Sequence, residues 1–322
     1  MLRPTGLERA TVRAAFNDQR SIGRQADFLF REVDRRMLER LDLIKLQPVA
    51  RVLDVGCGSG RSLANLAVRY PDARMIGTDL ADRLVAEAAG EPARERRLAE
   101  GARLWLARLG VGGSRQLPAT MPVWFAADAH ALPVAANSID MVWSNLAAHW
   151  FDDPLAAIAE WHRVIRPDGL LMFSAFGVDT LKEVRPAAPV GAGGPEKGAA
   201  GGAVGAAGGA AGGPGMAPGW PAFQDMHDWG DALSAAGFAD PVMDVERLTL
   251  TYEDEGRFWD DAESLAMLPG LRRRAGTGGA KRGDGPLALS IELVYGHAWC
   301  PPVKRRADGL AVVQVHRNRG TL

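Results

Sequence analysis

The hydrophobic and polar positions along the chain divide it into four stretches. Over residues 8 to about 45, apolar side chains recur at helical spacing between arginines and glutamates: Phe28, Leu29, Val33, Met37, Leu38, Leu41 and Ile44. From 51 to 176, short apolar runs alternate with helical patterns. Residues 186–219 are almost all glycine, alanine and proline, and patterning returns over 220–300. We therefore predict a helical preface, an α/β core, a disordered insertion and a final group of helices and strands.

Short apolar runs also predict the strands of this core. Five runs lie at 52–55, 75–78, 123–127, 139–144 and 170–176, and two follow the insertion at 242–250 and 287–295. Helices are predicted at 61–69, 153–166, 225–236 and 257–267, with two helical pieces within 81–120. The helix at 153–166 has Pro154 in its first turn and is stopped by residues 166–169. Such alternation predicts a doubly wound, mostly parallel sheet.

Gly56, Gly58 and Gly60 follow the first predicted strand at alternate positions, and a helix begins directly after them. Glycines let the backbone turn sharply and let a ligand approach where a Cβ would collide. The start of the helix offers unpaired N–H groups, so a nucleotide-like ligand is the functional interpretation and an empty glycine turn is the structural alternative. A dinucleotide site has its third glycine one residue later, so this spacing, with Asp54 in the strand end, favours a different ligand.

Polar residues stand at the ends of the next three strands. Asp79 lies 19 residues after Gly60, about the spacing of a carboxylate that accepts hydrogen bonds from ribose hydroxyls. Asp128 and Ala129 follow the third strand, and Asn145 follows the fourth. Ligands of open α/β sheets bind at the carboxyl ends of parallel strands, so these residues are predicted to gather around one ligand.

Composition narrows the class of protein. The 322 residues are 47% hydrophobic, enough for one large domain over 1–322. A net charge of −1 argues against a nucleic-acid partner. No apolar signal core or run of about 18 apolar residues occurs, so we expect a cytoplasmic protein with no membrane association. Only Cys57 and Cys300 are cysteines and the six histidines are scattered, so no disulfide scaffold or metal site is predicted; a monomer is the default.

From about Val52 to Phe176, the chain resembles the class I S-adenosylmethionine-dependent methyltransferases. A narrower resemblance, to the malonyl-acyl-carrier-protein O-methyltransferases of biotin synthesis, rests on residues 132–133, 138–150, 176–185 and 294–299. The resemblance implies a seven-stranded, mostly parallel, Rossmann-like sheet whose last strand is antiparallel. It also implies S-adenosylmethionine as cofactor, and Asp54, Gly56, Gly58 and Gly60 would then surround its methionine portion, with Asp54 helping to place the amino group.

The same resemblance assigns the other cofactor contacts. Asp79 would take the ribose hydroxyls, with Leu80 against the adenine face. Asp128 would accept the adenine amino group, and the Ala129 N–H would reach a ring nitrogen. Asn145 would lie beside the sulfonium and the substrate.

The implied substrate is the free carboxyl of a malonyl group on acyl-carrier protein. A carboxylate is already ionised at neutral pH, so positioning and desolvation are expected to matter more than a general base. His149, Trp150 and Tyr295 are the candidate catalytic residues on the substrate side, and core packing is the structural alternative for each. An acidic carrier protein would dock on basic residues, for which 272–274, 281–282 and 304–306 are candidates, although charge runs are usually solvated surface.

Besides another small-molecule methyltransferase, two alternatives stay open. A sister group of the same fold contains complex I assembly factors, at least one of which is a protein-arginine hydroxylase. A non-catalytic binding module is the other, because Gly23, Arg24 and Phe30 stand where the family has a Tyr-Asp pair and a later Gln near the methionine end.

Overall fold

One seven-stranded β-sheet organises the described part of the chain. The computed structural model describes residues 2–18, 28–46, 48–90, 121–184, 222–264 and 286–302. The strands are β1 (Arg51–Val55), β2 (Arg74–Asp79), β3 (Val123–Ala126), β4 (Ile139–Ser144), β5 (Ile165–Phe176), β6 (Ala239–Tyr252) and β7 (Leu287–Trp299). Their order across the sheet is β3-β2-β1-β4-β5-β7-β6.

The direction of the strands confirms the predicted fold class. Strands β1 to β5 run parallel, whereas β7 runs antiparallel to both of its neighbours, β5 and β6. Every residue of β4 is buried, as expected for a central parallel strand covered on both faces. The edge strand β6 instead alternates between exposed and partly buried positions over most of its length. The sheet is therefore a doubly wound α/β sheet with one antiparallel strand, as the sequence predicted.

Helices cover both faces of the sheet. They are α1 (Arg9–Asp18), α2 (Phe28–Asp42), α3 (Arg61–Arg69), α4 (82–90), α5 (Pro154–Val164), α6 (Met226–Ala235) and α7 (Glu255–Ser264), with a 3-10 turn at Ala148–Trp150. Consecutive residues of β1 serve opposite faces: Val52 packs in the cluster that includes α2 and α3, and Leu53 in the cluster that includes α5 and α6. The predicted helical preface is confirmed as α1 and α2.

The boundary between α5 and β5 differs from the sequence prediction. The helix ends at Val164, and β5 starts at once, because Ile165 already pairs with Ile139 of β4. The register then shifts before Met141 pairs with Leu170. Asp168 adopts a left-handed φ of 62° within this irregular segment, which the sequence pattern had assigned to a turn.

Some predictions fall outside the described residues. These are the helical piece beyond residue 90, the insertion at 186–219, the departures at Gly23 and Arg24, and the basic runs at 272–274, 281–282 and 304–306. The single domain over 1–322 stays a prediction. Among the helices of the described ranges, none is both long and apolar enough to cross a membrane.

Asp140 of β4 forms hydrogen bonds with the backbone at the start of β1. Its Oδ2 accepts hydrogen bonds from the N–H groups of Ala50 (3.1 Å) and Arg51 (2.7 Å), and Oδ1 pairs with Arg166. We expect Asp140→Ala to lower the free energy of unfolding by about 2 kcal/mol, since two N–H groups lose a charged acceptor. Urea denaturation measures this, with Asp72→Ala, at an exposed turn residue, as control. An equal loss in both variants would contradict the assigned role.

Candidate active site

The glycine loop after β1 is held by the end of β2. The N–H groups of Gly56 and Cys57 both donate to the carbonyl oxygen of Thr78, at 2.8 and 3.0 Å, and the Gly60 N–H donates to the Cys57 carbonyl at 2.8 Å. Gly56, Gly58 and Gly60 have φ angles of 76°, 51° and 84°. These left-handed angles are costly for residues with a Cβ, which explains why glycine occupies all three positions of this sharp turn.

The three glycines differ in what surrounds them. A Cβ added to Gly56 would lie 2.2 Å from the Cβ of Ala147, and one added to Gly60 would lie 2.3 Å from the indole of Trp124. A Cβ added to Gly58 would have no protein atom within 4 Å. The first and third glycines therefore permit close packing, whereas the middle one borders open space in the cleft that it lines.

Asp79 at the end of β2 is fixed by two backbone donors. Its Oδ2 accepts from the Gly58 N–H at 2.9 Å, and its Oδ1 accepts from the Ala81 N–H at 2.8 Å. Desolvation in the cleft raises the pKa of Asp79, and these backbone hydrogen bonds oppose the rise. Each carboxylate oxygen has capacity for a second hydrogen bond. This arrangement suits a ligand with two neighbouring hydroxyl groups.

Asp128 after β3 belongs to a polar cluster that joins α1 to the cleft. Its Oδ1 accepts from the His130 N–H at 2.9 Å, and its Oδ2 pairs with Arg9 of α1. Arg9 also contacts Asp152 at 2.8 Å. Burial alone would raise the pKa of Asp128, but His130 and Arg9 outweigh it and hold the pKa below its ordinary value. The ionised carboxylate can accept a hydrogen bond from a ligand amino group.

Asn145 after β4 is held from both sides of its amide. The Nδ2 donates to the carbonyl oxygen of Phe30 in α2 at 3.0 Å, and Oδ1 accepts from the Ser174 hydroxyl at 3.1 Å. Ser174 also accepts from the N–H of Leu146, a non-glycine residue with a left-handed φ of 49°. The strained backbone at the strand end is thus supported by a buried hydroxyl.

One cleft collects most of the residues predicted for cofactor binding. Among those that line it are Gly56, Gly58, Asp79, Leu80, Asp128, Ala129, Asn145 and Trp150. Asp54 and Gly60 are not among its lining residues: Asp54 is buried near the end of β1, and Gly60 directly precedes α3. Phe16 of α1 also lines the cleft and contacts Trp150 edge-on, with ring centroids 6.2 Å apart.

His149 and Tyr295 lie outside the cleft lining. The His149 ring packs between Trp150 and Phe176, with centroids at 4.2 and 4.4 Å, and its Nδ1 accepts the Phe176 N–H at 3.2 Å. Burial lowers the pKa of His149 well below its ordinary value, so the ring is neutral. Tyr295 is buried beneath the guanidinium of Arg40, 3.8 Å from the ring centroid, and burial raises its pKa. Of the three predicted catalytic residues, the structure brings only Trp150 to the cleft.

Sequence reasoning missed Asp34 and Arg9, which both line the cleft. Asp34 had a detectable signal, because it stands beside the buried face of α2 formed by Leu29, Val33, Met37 and Leu41. A carboxylate on such a face is uncommon unless it is paired. Arg9 had no such signal in the sequence, because its partners Asp128 and Asp152 are more than 100 positions away.

The cleft fits the chemistry of S-adenosylmethionine. A ribose could bind Asp79, and an adenine amino group could bind Asp128. An ammonium group beside the glycine loop would lie near the buried Asp54, whose two oxygens have no hydrogen-bond partner among the described residues. The open space at Gly58 leaves room for the ligand to approach the loop. With the sheet order described above, this places the chain in the class of S-adenosylmethionine-dependent methyltransferases.

Comparison with known proteins identifies the family. Residues 53–173 match the family described as "Methyltransferase domain". The chain is 38% identical over 324 residues to the malonyl-[acyl-carrier protein] O-methyltransferase of Gallionella capsiferriformans (strain ES-2), covering 96% of each protein. It is 38% identical over 325 residues to the protein of the same name from Laribacter hongkongensis (strain HLHK9), again covering 96% of each. The YcgJ protein from Bacillus subtilis, a solved structure, aligns with a TM-score of 0.48 at 16% identity, over 83% of this chain and 98% of that one. The chain belongs to the malonyl-[acyl-carrier protein] O-methyltransferase family.

Proposed function

We propose that the protein transfers a methyl group from S-adenosylmethionine to the free carboxylate of a malonyl group on acyl-carrier protein, in the synthesis of a biotin precursor. The observation that carries this proposal is the 38% identity, over 96% of both chains, to relatives that bear that name. The cleft supports it, because its strand-end acids match the parts of the cofactor. The cytoplasmic location and the monomeric state stay predictions.

The bound cofactor supplies an electrophilic methyl group, and the residues of this chain position the reactants. Asp79 and Asp128 would hold the adenosine, and Asn145, fixed by Phe30 and Ser174, would border the methyl group. Trp150 and Phe16 provide an apolar wall near this point. Such a wall desolvates an acceptor carboxylate and raises its reactivity.

This mechanism has no role for a histidine base. The acceptor carboxylate is ionised at neutral pH, since its pKa lies near those of Asp and Glu. The neutral, packed ring of His149 agrees with that, because Nδ1 already accepts a backbone N–H and the ring does not line the cleft. We therefore assign His149 a positioning role, in which it supports Trp150 and Phe176.

A methyl-transfer assay with matched carrier proteins tests the proposal. Labelled S-adenosylmethionine is incubated with the purified protein and either malonyl- or acetyl-acyl-carrier protein, which differ only in the terminal carboxylate. We expect one methyl ester per malonyl group and transfer to the acetyl form lower by about 100-fold or more. Cofactor binding without transfer to the malonyl form would contradict the proposed substrate. Absence of cofactor binding would favour the non-catalytic module.

A further inference from the structure

Asp34 is a buried carboxylate of α2 that borders the cleft. It is 2% exposed and lies next to Val33 on the apolar face by which α2 packs on the sheet. The same side chain lines the cleft together with Gly56 and Arg61. A charged group is rarely buried to this degree without partners. The position of Asp34 therefore calls for a counterpart of opposite charge.

Only one of the two carboxylate oxygens of Asp34 has a hydrogen-bond partner among the described residues. Its Oδ2 accepts from the Nδ2 of Asn65 at 2.7 Å, whereas Oδ1 is buried and has no partner among the described residues. Asp54 of β1 is 1% exposed, and neither of its carboxylate oxygens has a partner there. Three buried carboxylate oxygens, one of Asp34 and two of Asp54, thus have no hydrogen-bond partner within 3.5 Å among the described residues.

The charges around this pair point to a cation. Burial raises the pKa of Asp54 well above its ordinary value, and the charges of Asp34 and then Asp79 raise it further. Burial also raises the pKa of Asp34, against the hydrogen-bonding groups of Ser62, Asn65 and Trp143 and the charge of Arg61. Among the described residues, the charge of Arg61 thus favours ionised Asp34, whereas the charges that act on Asp54 are those of two other carboxylates. A positively charged donor would allow Asp34 and Asp54 to be ionised together.

We propose that Asp34 and Asp54 jointly bind the ammonium group of the cofactor's methionine portion, so that α2 supplies a second carboxylate beside the glycine loop. Asp34 is then a cofactor-binding residue that couples α2 to the occupied cleft. The inference rests on the cofactor site of the proposed function and not on the methyl acceptor. A structural role is the competing explanation, since the Ser62 hydroxyl and the Trp143 indole lie beside Asp34 and could anchor α2 without any ligand.

Two probes separate a ligand contact from a structural contact. S-adenosylhomocysteine carries the ammonium group, whereas 5′-methylthioadenosine has the adenosine part without it. Calorimetric titration of Asp34→Asn should show about 10- to 100-fold weaker binding of S-adenosylhomocysteine, with 5′-methylthioadenosine affinity within about twofold of the native value. Asp42→Asn, which removes an exposed charge from the same helix, should bind both probes normally. Equal weakening of both probes, or no weakening, would overturn the proposal.

A measurement on the unmodified protein keeps the proposal testable if Asp34→Asn does not fold. Burial raises the pKa values of Asp34 and Asp54, so these carboxylates take up a proton at a higher pH than exposed ones, and a bound ammonium group would displace that proton. Affinity for S-adenosylhomocysteine should therefore rise as the pH rises through the raised pKa values of these carboxylates, with proton release detected by titration in buffers of different ionisation enthalpy. The 5′-methylthioadenosine titration should show neither effect, and the same pH dependence for both probes would overturn the proposal. All these readouts are independent of methyl transfer, so failure of the proposed substrate would leave them unchanged.

Discussion

Replacing Asp79 with alanine is expected to weaken binding of S-adenosylhomocysteine by about 100-fold. Gly58 and Ala81 each donate one hydrogen bond to the carboxylate, and each carboxylate oxygen can accept more than one, so two hydrogen bonds from a ribose would be lost. Hydrogen bonds to a charged group contribute about 1.5–3 kcal/mol each, and a total near 3 kcal/mol corresponds to this loss. Calorimetric titration measures the change.

Two variants show whether the effect of Asp79 is local to the ligand. Asp79→Asn keeps one acceptor oxygen and should bind about tenfold more weakly than the native protein. Asp72→Ala, at an exposed turn residue before β2, should bind normally. The unfolding temperature without ligand reports whether the loop itself has loosened, because Asp79 also accepts the Gly58 and Ala81 N–H groups. Native affinity in Asp79→Ala would refute the assigned ribose contact.

Gly56→Ala is expected mainly to lose stability, whereas Gly58→Ala is expected mainly to lose cofactor affinity. Both positions have left-handed φ angles, so each variant carries a backbone cost of about 1–2 kcal/mol. Only at Gly56 does the new methyl group meet a neighbour, the Ala147 Cβ at 2.2 Å. Gly56→Ala should therefore lose about 3 kcal/mol or more of stability in urea denaturation, since the collision adds to the backbone cost.

Gly58→Ala should instead keep most of its stability and lose cofactor affinity. Its methyl group would stand in open space at the surface of the cleft, where it meets no protein atom within 4 Å. We expect binding of S-adenosylhomocysteine to fall by about tenfold or more, because the group takes space that the ligand needs. Equal stability losses in the two variants, or unchanged affinity in Gly58→Ala, would contradict the assignment of Gly56 to packing and of Gly58 to ligand approach.

The sheet could be predicted from the sequence because its strands are short apolar runs between polar ends. For the same reason Asp79, Asp128 and Asn145 could be placed at the edge where parallel strands end, and the structure gathers them along one cleft. The start of β5 could not be predicted, since Pro167 and Gly169 indicate a turn whereas pairing with β4 begins at Ile165. Tertiary pairing outweighed the local turn chemistry there.

Side-chain roles were less accessible to sequence reasoning than strand ends. His149 and Trp150 are neighbours in the sequence, yet one packs against Phe176 and the other borders the cleft. Nothing local distinguishes them, because their orientations follow from a 3-10 turn and from helices elsewhere in the chain. Trp124 is a similar case: its indole lies over Gly60 and Gly77, a contact between separate strands and the loop.

The unequal surroundings of the loop glycines affect which of them would be retained in a descendant that no longer binds the cofactor. A descendant that no longer needed a cofactor would still require Gly56 and Gly60, because Ala147 and Trp124 fill the space beside them. Gly58 alone would be released from its steric constraint, apart from the modest cost of its backbone angle. Two of the three glycines would then persist as a structural relic, and the residue at position 58 would be the one that distinguishes a working methyltransferase from an inactive descendant.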